Sequence, residues 1–168
     1  QIATSQATYF DHLFTTVSMV CVTGLFTQPV AETYNVFGQI ICMILMQIGG
    51  LGLMSIIAFF LYDSGKKMSL VDKLALQDSL NREDGQDFKK YLTTIFKYTF
   101  VIELIAAVIL SFRFVPELGT GKGIFTAFFL AISAFCNAGF DNLGSNSLIN
   151  YATDPLLNLV IAALIILG

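Results

Sequence analysis

Two stretches of this chain carry the same short pattern, and the chemistry it could support belongs to the backbone. Residues 10–25 read FDHLFTTVSMVCVTGL and residues 125–140 read FTAFFLAISAFCNAGF. Shifted by 115 positions they coincide at Phe10/Phe125, Phe14/Phe129, Ser18/Ser133, Cys21/Cys136 and Gly24/Gly139. Matches spaced by three and four residues mark one face of a helix, and each copy ends in a small residue and Gly, where a helix would stop. The residues before the Gly differ between copies while the Gly is retained. The candidate chemistry therefore lies in peptide carbonyls: Val22, Thr23 and Gly24 in one copy, Asn137, Ala138 and Gly139 in the other. Such carbonyls can replace the hydration shell of a cation. A helix ending beside them adds about half an elementary negative charge, which favours a cation over an anion. Gly24 and Gly139 supply the φ freedom such a turn needs. Ser18 and Ser133 are expected to bond helix carbonyls or a neighbouring loop rather than the ion, and Phe135 and Phe140 to pack.

Other chemistry is sparse. Glu103 stands inside an apolar stretch, where a carboxylate costs about 2.5 to 3.5 kcal/mol on insertion scales and needs a partner. A structural hydrogen bond to a neighbouring helix is the plainer role for it, and ion coupling or gating the sharper one. The lone His12 has no ligand spacing around it, and Cys21, Cys42 and Cys136 form no CxxC, so neither a transition metal nor a disulfide is expected. GTGKG at 119–123 does not make a phosphate loop, because Pro116 and Gly123 stand where that motif requires Gly and Ser or Thr. No organic cofactor and no nucleic-acid partner is implied. An enzyme would need convergent His, Cys or carboxylate groups, so none is expected.

Composition says what must position those carbonyls. Apolar residues make up 55% and charged residues 12% of the 168, against about 25% charged in a soluble domain. Val36 to Tyr62 is a run of 27 residues without a charge. At about 1.5 Å per residue it is long enough to cross a hydrocarbon core of about 30 Å. Gly49, Gly50 and Gly52 interrupt it and permit close packing or a hinge. A second span is predicted around Tyr91 to Phe112, the helix climbing from Asp87. A third apolar run starts near Leu156; aligned with QIGGLG, its Gly168 is the counterpart of Gly49. The chain opens without Met and stops inside that run, and is expected to be a piece of a longer membrane protein. Each short helix, Phe10 to Cys21 and about Ile124 to Cys136, is too short to span. The fold class expected is an all-α integral membrane protein of repeated membrane helix, pore loop, membrane helix units, potassium-channel-like. Residues 1–62 hold the first-repeat pore loop and second membrane helix, 63–90 a cytoplasmic connection, and 91–168 the second-repeat membrane helix, pore loop and start of its second membrane helix.

Charge orients the spans. Seven of nine Lys/Arg lie between the first two: Lys66, Lys67, Lys73, Arg82, Lys89, Lys90 and Lys97. The positive-inside rule puts residues 63–97 in the cytoplasm and both short helices outside, in a multi-pass plasma membrane (inner membrane) protein in contact with lipid. The segment 69–80 begins with a capping-box spacing, Ser69 and Asp72, and is expected to form a short helix at the membrane surface or against a partner. Pro116 and the glycines at 119, 121 and 123 are expected to form an outer loop. Asp11, Glu32, Glu117, Asp141 and Asp154 fall on the outer side, either as a cation-gathering vestibule or as scattered surface acids.

In order along the chain, VSMVCVTGL, MQIGGLGLM, GKKMSLVDKLALQDSLN, IELIAAVILSFRFVPELGTGKG and AISAFCNAGF resemble the Trk/Ktr/HKT superfamily of potassium transporters, and within it the Ktr membrane subunit. The resemblance covers essentially the whole chain. It implies four membrane–pore–membrane repeats, of which the end of the first and most of the second are present here. It implies a homodimer with a pore in each subunit and a cytoplasmic nucleotide-binding ring of regulatory subunits. Its filter glycines fall on Gly24 and Gly139, and its coordinating carbonyls on Val22, Thr23, Asn137 and Ala138. Gly rather than Ser at the first filter position goes with potassium in that family, so K+ is the expected ion with Na+ as an influence on transport. The residues alone imply a monovalent cation, since no carboxylate ring is evident. A non-conducting membrane scaffold and a two-span tetrameric cation channel are the alternatives. The retained glycines disfavour the first and the internal repeat the second.

Overall fold

The computed structural model describes Ile2, residues 5–52 and residues 88–168. Among them the chain is helical: α1 Tyr9–Val20, α2 Val30–Thr33, α3 Val36–Gly50, α4 Phe88–Leu118, α5 Thr120–Phe135 and α6 Pro155–Leu167, with a 3-10 turn at Ser147–Tyr151. The segment 69–80 and the stretch 53–62 of the first expected span lie outside the described residues.

Helix starts follow local chemistry. Thr8 and Asp11 close a capping box on α1, with the Thr8 amide donating to Asp11 Oδ2 at 2.7 Å. Asn35 caps α3 by accepting from the Gly38 amide at 2.9 Å. Asp154 caps α6 by accepting from the Leu157 amide at 3.1 Å, and Pro155 occupies the first helical position.

Within the described part of the 27-residue run, the chain is helical over Val36–Gly50 and turns at the glycines expected to interrupt it, Gly52 adopting φ +78°. Two consecutive glycines weaken the helix, and a positive φ ends it. On the outer side, the loop expected around Pro116 and GTGKG is almost absent. Pro116 lies within the last turn of α4, and Gly119 (φ +84°) reverses the chain directly into α5. Gly123 then lets α5 approach α4: a Cβ there would lie 2.7 Å from the Phe114 carbonyl oxygen and Val115 backbone. All but Gly119 of this stretch is thus helix rather than loop.

Among the described residues one helix, over Leu92–Leu118, is long and apolar enough to cross a membrane. It packs on α5 and α6 through Ala106, Ala107, Leu110 and Phe114 against Ala127, Leu130, Ala131, Leu157 and Leu164. Alanines at the contact let the helices come close. A second cluster joins the two halves: Met19, Cys42 and Met46 from the first meet Phe129, Cys136, Ala138 and Phe140 from the second. Large side chains such as Phe100, Leu104, Val108 and Phe112 lie exposed along α4, an apolar exterior suited to lipid.

Candidate ion-conducting site

The two repeated segments fold alike, bond for bond. After α1, the amides of Cys21, Val22 and Thr23 donate to the carbonyls of Val17, Met19 and Ser18 at 2.8, 3.4 and 3.0 Å. After α5, the amides of Cys136, Asn137 and Ala138 donate to Ile132, Ala134 and Ser133 at 2.9, 3.1 and 2.8 Å. Val22 and Asn137 both take positive φ, +56° and +54°, as do Gly24 and Gly139, +72° and +74°. A non-Gly residue in that region is uncommon, and for β-branched Val22 it is an outlier. Val22 adopting the conformation that Asn137, a residue that tolerates it, holds in the other copy means that the loop shape, not the Val22 side chain, determines the backbone there.

The repeated serines hold these loops. Ser18 Oγ accepts from the Leu25 amide at 2.9 Å, and Ser133 Oγ from the Phe140 amide at 2.8 Å. Both serines therefore bond the neighbouring loop, as their placement led one to expect. Thr23 Oγ1 also lies 2.7 Å from Ser18 Oγ. Asn137 turns its side chain away, donating to the Ile165 carbonyl at 3.4 Å.

Tertiary packing brings the loops together at their glycines. A Cβ on Gly24 would lie 3.0 Å from the Ala138 carbonyl oxygen and 3.5 Å from the Gly139 Cα. The helix behind them is shaped to the same end. A Cβ on Gly49 would lie 2.5 Å from the Val20 carbonyl oxygen, and one on Gly50 2.5 Å from the Cys136 Cβ, so one glycine abuts each loop. Gly168 meets the Phe135 carbonyl as Gly49 meets Val20, which matches the alignment of the two runs. Val22, Asn137, Gly49, Gly50, Thr99 and Gly168 share the lining of a cavity of about 340 Å³.

Glu103 is 3% exposed and has a partner. Gln47 Nε2 of α3 lies 2.9 Å from each of its carboxylate oxygens. Cys136 Sγ lies 3.1 Å from Gln47 Oε1. Sequence reasoning named Glu103 but missed Gln47 and the thiol. The available signal was a second polar residue in an apolar run, two residues before the Gly pair.

The five outer acids are each engaged by neighbours. Asp11 accepts from Thr8 and from Thr27 Oγ1 at 2.7 Å, and these bonds hold its carboxyl down to about 2. Glu32 accepts from the Ser145 amide at 3.1 Å, linking the two halves. Asp141 accepts from the Leu143 amide at 2.9 Å and from Ser147 Oγ. Arg113 binds both Glu117, at 2.7 Å, and Asp154. Tyr151 donates to Glu117 at 2.8 Å. These carboxylates cap helices and bridge loops, which favours the structural meaning of the outer acids over a free vestibule.

Comparison with known proteins identifies a family for the chain. The model of the TrkH family, described as cation transport protein, matches residues 1–168. The chain is similar to the potassium/sodium uptake protein NtpJ of Enterococcus hirae, 46% identical over 164 residues, covering 97% of this chain and 36% of that protein. It is similar to the Ktr system potassium uptake protein B of Bacillus subtilis, 41% identical over 165 residues, 98% of this chain and 37% of that one. The protein of the same name from Vibrio alginolyticus is 40% identical over 158 residues, 94% of this chain and 34% of that one. The chain thus spans about a third of the length of these relatives.

Proposed function

The chain belongs to the TrkH family of cation transport proteins, and from that premise we propose that it is part of a plasma-membrane potassium transporter and supplies two stretches of its selectivity filter. The observation that carries this is the pair of identically folded loops meeting at Gly24 and Gly139. In this reading the backbone carbonyls of Val22, Thr23, Gly24, Asn137, Ala138 and Gly139 take over from a potassium ion's hydration shell. The C-terminal ends of α1 and α5 add partial negative charge beside them. Irregular backbone at membrane depth survives only inside protein or along a wet cavity, and the cavity that Val22 and Asn137 help to line supports that placement. K+ is the transported ion and Na+ influences it; the names of the relatives, which speak of potassium and sodium uptake, favour this pair.

The protein is no enzyme in this reading. Residues 63–97 face the cytoplasm, and the two short helices descend from outside. Its partners are the remaining repeats, a second copy, and a cytoplasmic nucleotide-binding regulatory ring. The word system in the names of the Bacillus and Vibrio relatives supports a multi-component assembly.

The test is potassium uptake by transporter-deficient cells expressing the full-length protein, wild type beside Gly24→Ser. Wild-type uptake with a potassium preference that the variant loses supports the filter. An unchanged preference removes Gly24 from selectivity. A well-expressed wild type that transports nothing, even with its partner, points to a scaffold.

A further inference from the structure

Three side chains from three helices meet directly behind the second loop. Gln47 comes from α3, Glu103 from α4, and Cys136 follows the last residue of α5, immediately before Asn137 turns to positive φ. Glu103 and Cys136 are 3% and 5% exposed. The geometry is directional. A carboxylate accepts and does not donate, so it requires the amide nitrogen of Gln47 to face it, as observed at 2.9 Å from both oxygens. The amide oxygen is thereby turned toward Cys136, whose thiol donates to it at 3.1 Å. Cys136 Sγ stays 4.0 Å from the carboxylate itself, so the amide is the link.

The Gly pair one turn on from Gln47 makes the meeting possible, because Gly50 lets α3 lie against the Cys136 Cβ.

We infer that Glu103 and Gln47 are positioning residues of the second loop: through the Cys136 thiol they hold Asn137–Gly139 in register with Val22–Gly24 and so set ion preference. The inference rests on these loops forming the ion path.

The experiment uses the full-length protein in transporter-deficient cells, with potassium and sodium uptake measured for Q47E, E103Q and the double variant Q47E/E103Q. Q47E sets two carboxylates face to face and should shift the potassium-to-sodium preference by about fivefold or more, within the range found for residues in direct contact. E103Q leaves an amide oxygen that still accepts from Gln47, so its shift should be smaller. The double variant exchanges amide and carboxylate, and the carboxylate at position 47 still accepts from the Cys136 thiol. It should restore the preference to about the wild-type value. Q47E that reaches the membrane with unchanged preference overturns the inference, as does a double variant no better than Q47E. Should Q47E fail to reach the membrane, C136A reads the same link: a shifted preference supports it and an unchanged one overturns it. A shift with Gly24→Ser but none with these variants sinks the positioning role alone. No shift with Gly24→Ser sinks the filter beneath it as well.

Discussion

Gly24 and Gly139 stand against each other across the two halves: a Cβ on Gly139 would lie 3.3 Å from the Gly24 Cα, and both hold φ near the left-handed region, +72° and +74°. Residues separated by 115 positions thus meet at their backbones, where only the absence of a side chain permits it.

Substituting either glycine should therefore damage transport, and unequally. Gly24→Ala adds a Cβ 3.0 Å from the Ala138 carbonyl oxygen, whereas Gly139→Ala meets only the Gly24 Cα at 3.3 Å. Both also impose a left-handed backbone on a residue with a Cβ, costing about 1–2 kcal/mol. Uptake assays with surface-level controls should rank wild type above Gly139→Ala above Gly24→Ala. The reverse ranking would separate the loop contact from function.

The glycines behind the loops should behave differently from one in open space. Gly49→Ala and Gly50→Ala each place a Cβ 2.5 Å from a loop atom, and overpacking of this kind costs about 1–3 kcal/mol. Gly121, in the first turns of α5, has nothing within 4 Å of a Cβ. Gly121→Ala should raise stability slightly, by less than about 1 kcal/mol, since Ala is the better helix former. Thermal melts in detergent check all three.

Ser133→Ala should cost more than Ser18→Ala. The first strands the Phe140 amide in a buried setting and the second a part-buried Leu25 amide. An unsatisfied buried donor costs about 1–3 kcal/mol, and water can reach the second amide more easily. A melt of Ser133→Ala no lower than that of Ser18→Ala would contradict the ranking.

Asp11 gives a pH signature. Its folded carboxyl sits at about 2 against an unperturbed 3.8, chiefly through the Thr8 hydroxyl and then Thr27. A depressed folded value means the stabilisation is complete above the unfolded value and is lost as pH falls toward the folded one. Wild type should exceed Asp11→Asn in melting temperature near neutral pH, and the two should converge between about pH 4 and pH 2. A constant gap across that window would show that ionisation is not the source.

Local pattern made much of this legible in the sequence. The recurrence of Ser18 and Gly24 at Ser133 and Gly139 announced two equivalent helix endings, because periodicity and Gly are properties of a short stretch. The extent of α1, the end of α5 and the apolar α4 followed for the same reason, whereas α5 starts at Thr120, ahead of the expected Ile124. Pro116 and GTGKG misled: Pro and Gly mark loops on average, yet here α4 tolerates Pro116 in its last turn, Gly119 makes the reversal by itself and Gly123 serves close packing.

What the sequence determined by itself was the repeat, the two short helices that end in it, the apolar α4, the candidate carbonyl-bearing residues and the isolated carboxylate of Glu103. Tertiary structure alone decided that the two loops touch, that Gly49 and Gly50 serve one loop each, and that Glu103 answers to Gln47 and through it to Cys136. The physical reason is reach. Helical periodicity and turn chemistry act over a few residues, while partners 56 and 89 positions apart are chosen by how closely whole helices can approach.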